Sequence, residues 1–160
     1  ESDSYTVAQG RYNGDDLLVV VPAKTGVATL YSGIYGDTAV AKVIAHDIKG
    51  AAFAPDSHKL ALSSTNSAYV YDLEQAAQDR AFTLYTLPEA GGLSSMTWYD
   101  NDHLLAVRAG HLYWSEYDGA NELALSSATG LPGYSDGDVR PVLVFRPVDA
   151  TTQIVQIQIR

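Results

Sequence analysis

The sequence predicts an all-β fold built from repeated four-stranded units, a β-propeller, on three observations. A motif recurs at a nearly fixed offset, each copy divides into short apolar strands separated by turn residues, and the aromatic content is biased to tyrosine. Tyrosine supplies 11 of the aromatic residues, against three Phe and two Trp. Aromatic and β-branched side chains fit a pleated, half-buried surface.

The repetition is clearest between Ala52-Phe53-Ala54-Pro55-Asp56-Ser57-His58-Lys59-Leu60-Ala61-Leu62 and Thr97-Trp98-Tyr99-Asp100-Asn101-Asp102-His103-Leu104-Leu105-Ala106-Val107. Phe53 and Trp98 open the two copies 45 residues apart, and His58 and His103 keep that spacing. An Asp-containing turn separates the aromatic from an apolar strand, Leu60-Ala61-Leu62 in one copy and Leu105-Ala106-Val107 in the other. Each copy then enters an aromatic strand, Ala68-Tyr69-Val70-Tyr71-Asp72 or His111-Leu112-Tyr113-Trp114-Ser115. A further strand follows, Ala81-Phe82-Thr83-Leu84-Tyr85 or Glu122-Leu123-Ala124-Leu125. The N-terminal copy has its turn at Gly10-Arg11-Tyr12-Asn13-Gly14-Asp15-Asp16 and its inner strand at Leu17-Leu18-Val19-Val20-Val21. Val27 to Tyr31 and Ala39 to Val43 complete it.

The tail is a partial copy. Val142-Leu143-Val144-Phe145 reads as a strand, and Gln153 to Ile159 alternates with period two, placing Val155, Ile157 and Ile159 on one face. This strand lacks a local sheet, so Tyr5-Thr6-Val7-Ala8, or a strand from a removed region, is its expected partner. Leu73 to Arg80 is the one stretch with helical character.

A repeat of about 40–50 residues with four short strands is a blade signature. The blades fall at 5–49, 50–92 and 93–133, with a partial fourth at 134–160, in a single domain that is part of a larger propeller. A β-sandwich is the alternative, since strands at this spacing also suit two packed sheets. An open arc of blades would leave bare strand edges and an apolar face. A protein partner, self-association or closure of a small ring by the tail is therefore expected to cover them.

Charge and composition exclude several functions. The net charge is −9 and the pI about 4.6, which repels phosphate backbones, so neither nucleic acid nor an anionic membrane is expected as a partner. Cysteine is absent, which removes disulfides, thiolate metal sites and cysteine nucleophiles. No run reaches the 18 apolar residues of a membrane-spanning helix. The chain opens on Glu1 rather than Met, from which a removed leader or anchor, or excision from a longer protein, is expected.

One catalytic pattern matches literally. Gly133-Tyr134-Ser135-Asp136-Gly137 has the Gly-x-Ser-x-Gly spacing of a nucleophile elbow, which requires a strand before the serine and a helix after it. Here 126–132 reads as a loop and a strand follows Arg140-Pro141. All four histidines, at 46, 58, 103 and 111, precede the serine, whereas the hydrolase order places the catalytic histidine after it. The motif is read as a turn. His58 and His103 are read as solvated residues at equivalent turns of neighbouring blades, too far apart to share a zinc ion. Asp15-Asp16, Asp100-Asn101-Asp102 and Asp136-Gly137-Asp138 do not fit a calcium loop and suit ordinary turns. No catalytic residue, cofactor or metal is assigned.

Phe53-Ala54-Pro55-Asp56-Ser57-His58-Lys59-Leu60-Ala61 resembles the F/W-S-P-D-G-x-x-L-A core of TolB-like and WD40-like propeller repeats. His111-Leu112-Tyr113-Trp114-Ser115-Glu116-Tyr117-Asp118-Gly119 is similar to the strand that follows it in those repeats. Ser57 stands where the family carries Gly. The resemblance covers 50–125 well and implies protein binding through a propeller face, with a cell-envelope or extracytoplasmic location favoured over the cytoplasm. The first functional expectation is a non-enzymatic interaction scaffold, with Tyr35, Tyr99, Tyr117 and Tyr134 in or beside turns as contact residues. The second is the substrate- or carbohydrate-binding propeller of an enzyme whose catalytic part lies elsewhere. In that case Arg108 and His111 would line the pocket.

Overall fold

The computed structural model describes residues 3–36, 39–77, 93–134, 142–148 and 151–157. They form a β-propeller arc of four antiparallel sheets stacked side by side, which sets aside the two-sheet sandwich. The first sheet holds β1 (Tyr5–Tyr12), β2 (Asp15–Pro22), β3 (Ala28–Ser32) and β4 (Val40–Ala45), in that order. The second holds β5 (Gly50–Phe53), β6 (Lys59–Ser63) and β7 (Ala68–Asp72). A short helix α1 (Leu73–Ala77) follows, capped by Asp72 Oδ1, which accepts from the N–H groups of Glu74 and Gln75 at 2.9 and 3.2 Å. β8 (Leu93–Trp98), β9 (His103–Arg108), β10 (His111–Glu116) and β11 (Leu123–Ser127) form the third sheet. β12 (Gly130–Tyr134), β13 (Val142–Val148) and β14 (Thr151–Ile157) form the fourth. The fourth strand expected at 81–85 lies outside the described residues, as do Ser135, the acidic pair at 136 and 138, and Ile159.

The first strand of each sheet meets the first strand of the next: β1 touches β5, β5 touches β8, and β8 touches β12. These strands therefore line the axis of the arc. That corrects the expectation that Leu17–Val21 is the inner strand; it belongs to β2, the second position. Small residues stand where the axial strands converge, Gly10 in β1, Gly50 to Ala52 in β5 and Ser94 and Ser95 in β8. A Cβ added at Gly10 would lie 2.8 Å from the Phe53 ring, and one at Gly50 would collide with Ser63 Oγ.

Three apolar layers hold the sheets together. Leu17, Val19 and Leu30 pack against Leu60, Leu62 and Tyr71 between the first and second sheets. Ala61 and Val70 pack on Trp98 and Leu104 between the second and third. Leu105, Val107 and Leu112 close on Val155 and Ile157 between the third and fourth. β6 is buried on both faces: Leu60 and Leu62 point one way, Ala61 the other. Each fully buried leucine contributes about 2–3 kcal/mol. Trp98 Nε1 donates to the Ala52 carbonyl at 2.8 Å, tying the third sheet to the second.

The two motif copies do not superpose in register beyond the aromatic. Ala54 N–H donates to Lys59 O and Tyr99 N–H to His103 O, each at 2.9 Å. The first turn thus encloses four residues and the second three. Leu60 faces Phe53 while Leu104 faces Trp98, so Leu104, not Leu105, is the structural equivalent of Leu60. A one-residue slip exchanges the two faces of a strand. It also means that His58 and His103 are not equivalent: His58 sits in its turn, and His103 begins β9.

The tail finds a local sheet. β14 pairs with β13 from Val142↔Ile157 to Val148↔Thr151, and β1 pairs with β2 along its whole length. Among the described residues the tail and Tyr5–Ala8 lie in different sheets, so the expected pairing between them is not formed there. Residues 130–132, read as loop, are the start of β12.

Candidate functional site

The antiparallel order sends each first strand towards the same face of the arc. The turns at 13–14, 54–58, 99–102 and 117–122 gather there and make a continuous turn face. The turns at 23–27, 64–67 and 109–110 lie on the opposite face.

Neighbouring sheets are bonded to each other at the turn face. Asp56 N–H donates to Asn101 Oδ1 at 3.0 Å, across the boundary between the second and third sheets. Lys59 Nζ donates to Asp102 Oδ1 at 3.0 Å and to the Asn101 carbonyl at 3.3 Å, and it stands 4.6 Å from the centre of the Tyr117 ring. Burial opposes the charge on this ammonium, but the hydrogen bond and charge of Asp102 outweigh it and raise the Lys59 pKa. The Tyr117 N–H donates to the Asp102 carbonyl at 2.8 Å.

The turns themselves are built by aspartate. Asp56 Oδ1 accepts from His58 N–H at 3.0 Å, and Ser57 adopts φ +61°, the left-handed conformation that glycine occupies most easily. Asp100 Oδ1 accepts from the N–H groups of Asp102 and His103, both at 2.8 Å. His103 Nδ1 lies 2.8 Å from both Asp100 carboxylate oxygens, with its ring stacked on Trp114 at 4.2 Å. Burial pushes the Asp100 carboxyl up, but these donors prevail and hold it below the ordinary aspartate value. His58 Nδ1 is 3.0 Å from Glu74 Oε1 and its ring meets Tyr12 edge-on at 5.2 Å. Both histidines are partnered turn supports; His103 is largely shielded, whereas His58 stays 45% exposed, as the solvated reading has it.

The six candidate residues divide between the two faces. Tyr35 follows β3 on the turn face and is 78% exposed. Tyr99 and Tyr117 lie on the same face but lean into the apolar layers. Tyr134 ends β12 at that face, and its side chain lies outside the described residues. Arg108 and His111 flank the 109–110 turn on the opposite face. Arg108 is buried; its guanidinium lies 4.2 Å from the Tyr113 ring centre and pairs with Glu122. It runs across the second-sheet side of the third sheet rather than into an axial pocket. His111 is exposed, and its Nδ1 donates to the Ala109 carbonyl at 3.1 Å. Sequence reasoning weighed Asn101 and Asp102 only as part of a calcium loop and missed the clasp they form with Lys59 and Asp56; its signal was only that a turn carried more polar groups than a hairpin needs.

The opposite face carries grooves that meet at Lys49. One, of about 270 Å³, is lined by Gly50, Ser63, Ser64, Leu93, Ser95 and Met96. Another, of about 390 Å³, runs past Lys24, Thr25, Asp47 and Thr65. Among the described residues no three His, Asp or Glu side chains converge to hold a metal ion, and no helix is long and apolar enough to cross a membrane. β12 belongs to an antiparallel sheet, not to the parallel strand–turn–helix unit that a nucleophile elbow requires.

No protein-family model and no curated protein matches the chain. Solved structures do. The β-propeller domain of the Trilobed protease from Pyrococcus furiosus, which has an open velcro topology, matches 99% of this chain with a TM-score of 0.61 at 14% identity. Hsv2 of Kluyveromyces lactis matches 97% at 0.53 and 9% identity. The N-terminal domain of Nup159 matches 96% at 0.55 and 11% identity. The chain spans 53%, 50% and 43% of those three chains, respectively, about half a propeller. The likeness is one of fold.

Proposed function

We propose that this chain is a non-enzymatic protein-interaction propeller that presents its turn face to a partner. The observation that carries this reading is the bonding of turn to turn across the sheet boundary by Asp56, Asn101, Lys59 and Asp102. Such bonding holds a broad face rigid, and a rigid face binds without a large ordering cost. Tyr35, exposed on that face, is the type of side chain enriched at protein contacts. Nup159, one of the fold neighbours, occurs bound together with Dbp5 and Gle1 in a S. cerevisiae assembly. The resemblance to TolB-like repeats accords with the same reading and would imply an envelope location. The test compares affinity purification of Tyr35→Ala with that of Lys24→Ala, a change on the opposite face. Tyr35→Ala should weaken partner binding roughly 10-fold or more, as expected for a contact tyrosine, and Lys24→Ala should leave it unchanged. The reverse pattern rejects the turn face.

A second reading rests on the grooves around Lys49: a substrate- or carbohydrate-binding propeller serving a catalytic part elsewhere. Their volumes lie near the lower end for ligand sites. Calorimetry against an oligosaccharide and peptide panel, with Lys49→Ala as the control, decides it. No heat with any member removes this reading.

A further inference from the structure

The groove of about 270 Å³ between the second and third sheets is walled by one cation and no acid. Lys49 stands just before β5, and its ammonium makes no ion pair or hydrogen bond among the described residues. At the turn face the contrast is plain: Lys59 is paired with Asp102 there, and Arg11 reaches the Gly14 carbonyl at 3.5 Å.

Two hydroxyls of the groove lack partners as well. Ser63 Oγ makes no hydrogen bond among the described residues. Ser95 Oγ is shut off from solvent and has no partner either, a cost that an acceptor brought to it removes. The neighbouring Ser64 differs, since its Oγ donates to the Ser67 carbonyl at 3.2 Å and accepts from the Ser67 N–H at 3.0 Å. The groove therefore offers three donors and no carboxylate to meet them. Gly50 keeps it open, because a Cβ there would run into Ser63 Oγ. Leu93 and Met96 supply an apolar wall. The backbone on both sides is bonded in place. Lys49 N–H donates to the Ser63 carbonyl at 2.7 Å, and Leu93 N–H to the Thr65 carbonyl at 2.9 Å. Thr6 Oγ1 donates to the Lys49 carbonyl at 3.0 Å. A site held in this way binds without a large ordering cost. Its walls come from the second and third sheets, so neither end of the arc enters it.

We propose that this groove binds a small carboxylate, with Lys49 as its charge partner, Ser63 and Ser95 as hydroxyl donors, and Leu93 and Met96 against the apolar part of the ligand. One ammonium balances one negative charge. A phosphate dianion would call for a second cation, and the net charge of −9 repels it more strongly. The adjoining groove of about 390 Å³ contains Asp47, which repels the same ligand and confines it to the boundary between the second and third sheets. The carboxylate can belong to a peptide end or to a sugar acid. The inference rests on the second reading above and names its ligand class.

Isothermal calorimetry of the 160-residue chain tests it with two matched pairs of probes: N-acetyl-alanyl-leucine and its C-terminal amide, and glucuronate and glucose. The acid of at least one pair should bind roughly 10-fold or more tightly than its neutral partner, as expected for a hydrogen bond to a charged group, and the pair that does so identifies the source. Lys49→Met should weaken that binding by about as much, and Lys49→Arg should restore most of it. Lys42→Met removes the same charge from the outer strand β4, and its effect should stay below about twofold because solvent and salt screen it. Ser95→Ala should weaken binding while Tm stays the same or rises, because the lost hydroxyl had no partner; a merely structural serine would lower Tm. Equal binding of acid and neutral probes overturns the carboxylate assignment and leaves the second reading standing. No heat with any of the four overturns both. An acid preference that survives Lys49→Met puts the ligand elsewhere and overturns the assignment too.

Discussion

At the scale of single residues, the turns show how much one backbone dihedral matters. Ser57 holds φ +61°, where a Cβ crowds the carbonyl that follows, at a cost of about 1–2 kcal/mol for an ordinary L-residue. Ser57→Gly removes the Cβ but adds freedom to the unfolded chain, which offsets part of the gain. The net expectation is about 0.5–1 kcal/mol of added stability, or roughly 1–4 °C in Tm for a domain of this size, measured by calorimetry. A lower Tm would mean that Ser57 makes a compensating contact. Asp100 gives the pH dependence. Its folded pKa is lowered, so its contribution is present above the unfolded aspartate value near 4 and is lost as pH falls through the lower folded value. Asp100→Asn should cost stability at neutral pH, and the gap to the wild type should shrink as pH falls below about 4. A gap that is constant in urea titrations from pH 7 to pH 3 would show that the carboxylate charge contributes nothing.

At the scale of elements, the large apolar strands and their turns were legible in the sequence, and the axial strands were not. β6, β7, β9 and β10 carry Leu, Ala, Val and aromatic residues in short apolar runs bounded by turn residues, and that signal is direct. β5 and β8 read Gly-Ala-Ala-Phe and Leu-Ser-Ser-Met-Thr-Trp, with little alternation. Crowding at the axis selects small residues there, as the approach of Phe53 to Gly10 shows, and small residues leave no hydrophobic period. The one-residue difference between the turns at 54–59 and 99–103 was invisible for a related reason: both are strings of Asp, Asn and Ser, and only the hydrogen bonds reveal where each closes. The candidate tyrosines were legible as turn residues, but whether a tyrosine projects like Tyr35 or packs inward like Tyr117 depends on the neighbouring sheet, which a local pattern does not encode. The tail strand was recognised by its alternation and its true partner β13 was recognised as a strand, but the two were not joined, because with β12 hidden in a stretch that reads as turn the fourth sheet looked too incomplete to hold the tail. Its role remains testable. Deleting 152–160 removes most of the ladder on β13 and takes Val155 and Ile157 from the third apolar layer. The bared β13 edge becomes a template for association. The truncated protein should aggregate by light scattering and lose the near-ultraviolet signal of Trp114, which packs in that layer. An unchanged Tm and a monodisperse sample would make the tail dispensable.

At the scale of the whole molecule, the arc is quasi-one-dimensional: each sheet packs only on its neighbours, so stability is close to a sum of three layers. Among the described side chains the layers are unequal. The first joins Leu17, Val19, Val21, Leu30, Ile48, Leu60, Leu62 and Leu73 into one buried cluster, whereas the third is buried mainly through Leu105, Val107, Leu112 and Ala128. The second is bridged as well by the polar clasp of Lys59 and Asp102 and by the Trp98 bond to Ala52. Opening should therefore begin at the fourth sheet and reach the first two sheets last, giving graded protection rather than one cooperative unit. In amide hydrogen exchange β13 and β14 should lose protection first, β9 and β10 next, and β2 and β6 only with global unfolding. Leu60→Ala, which leaves a cavity in the strongest layer, should cost about 2–5 kcal/mol and collapse the gradient by lowering the global limit itself. Leu112→Ala should speed exchange in β13 and β14 while β2 keeps its wild-type rate. Equal acceleration of β2 in both variants would show that the arc unfolds as a single unit, and the picture of additive layers would then fail.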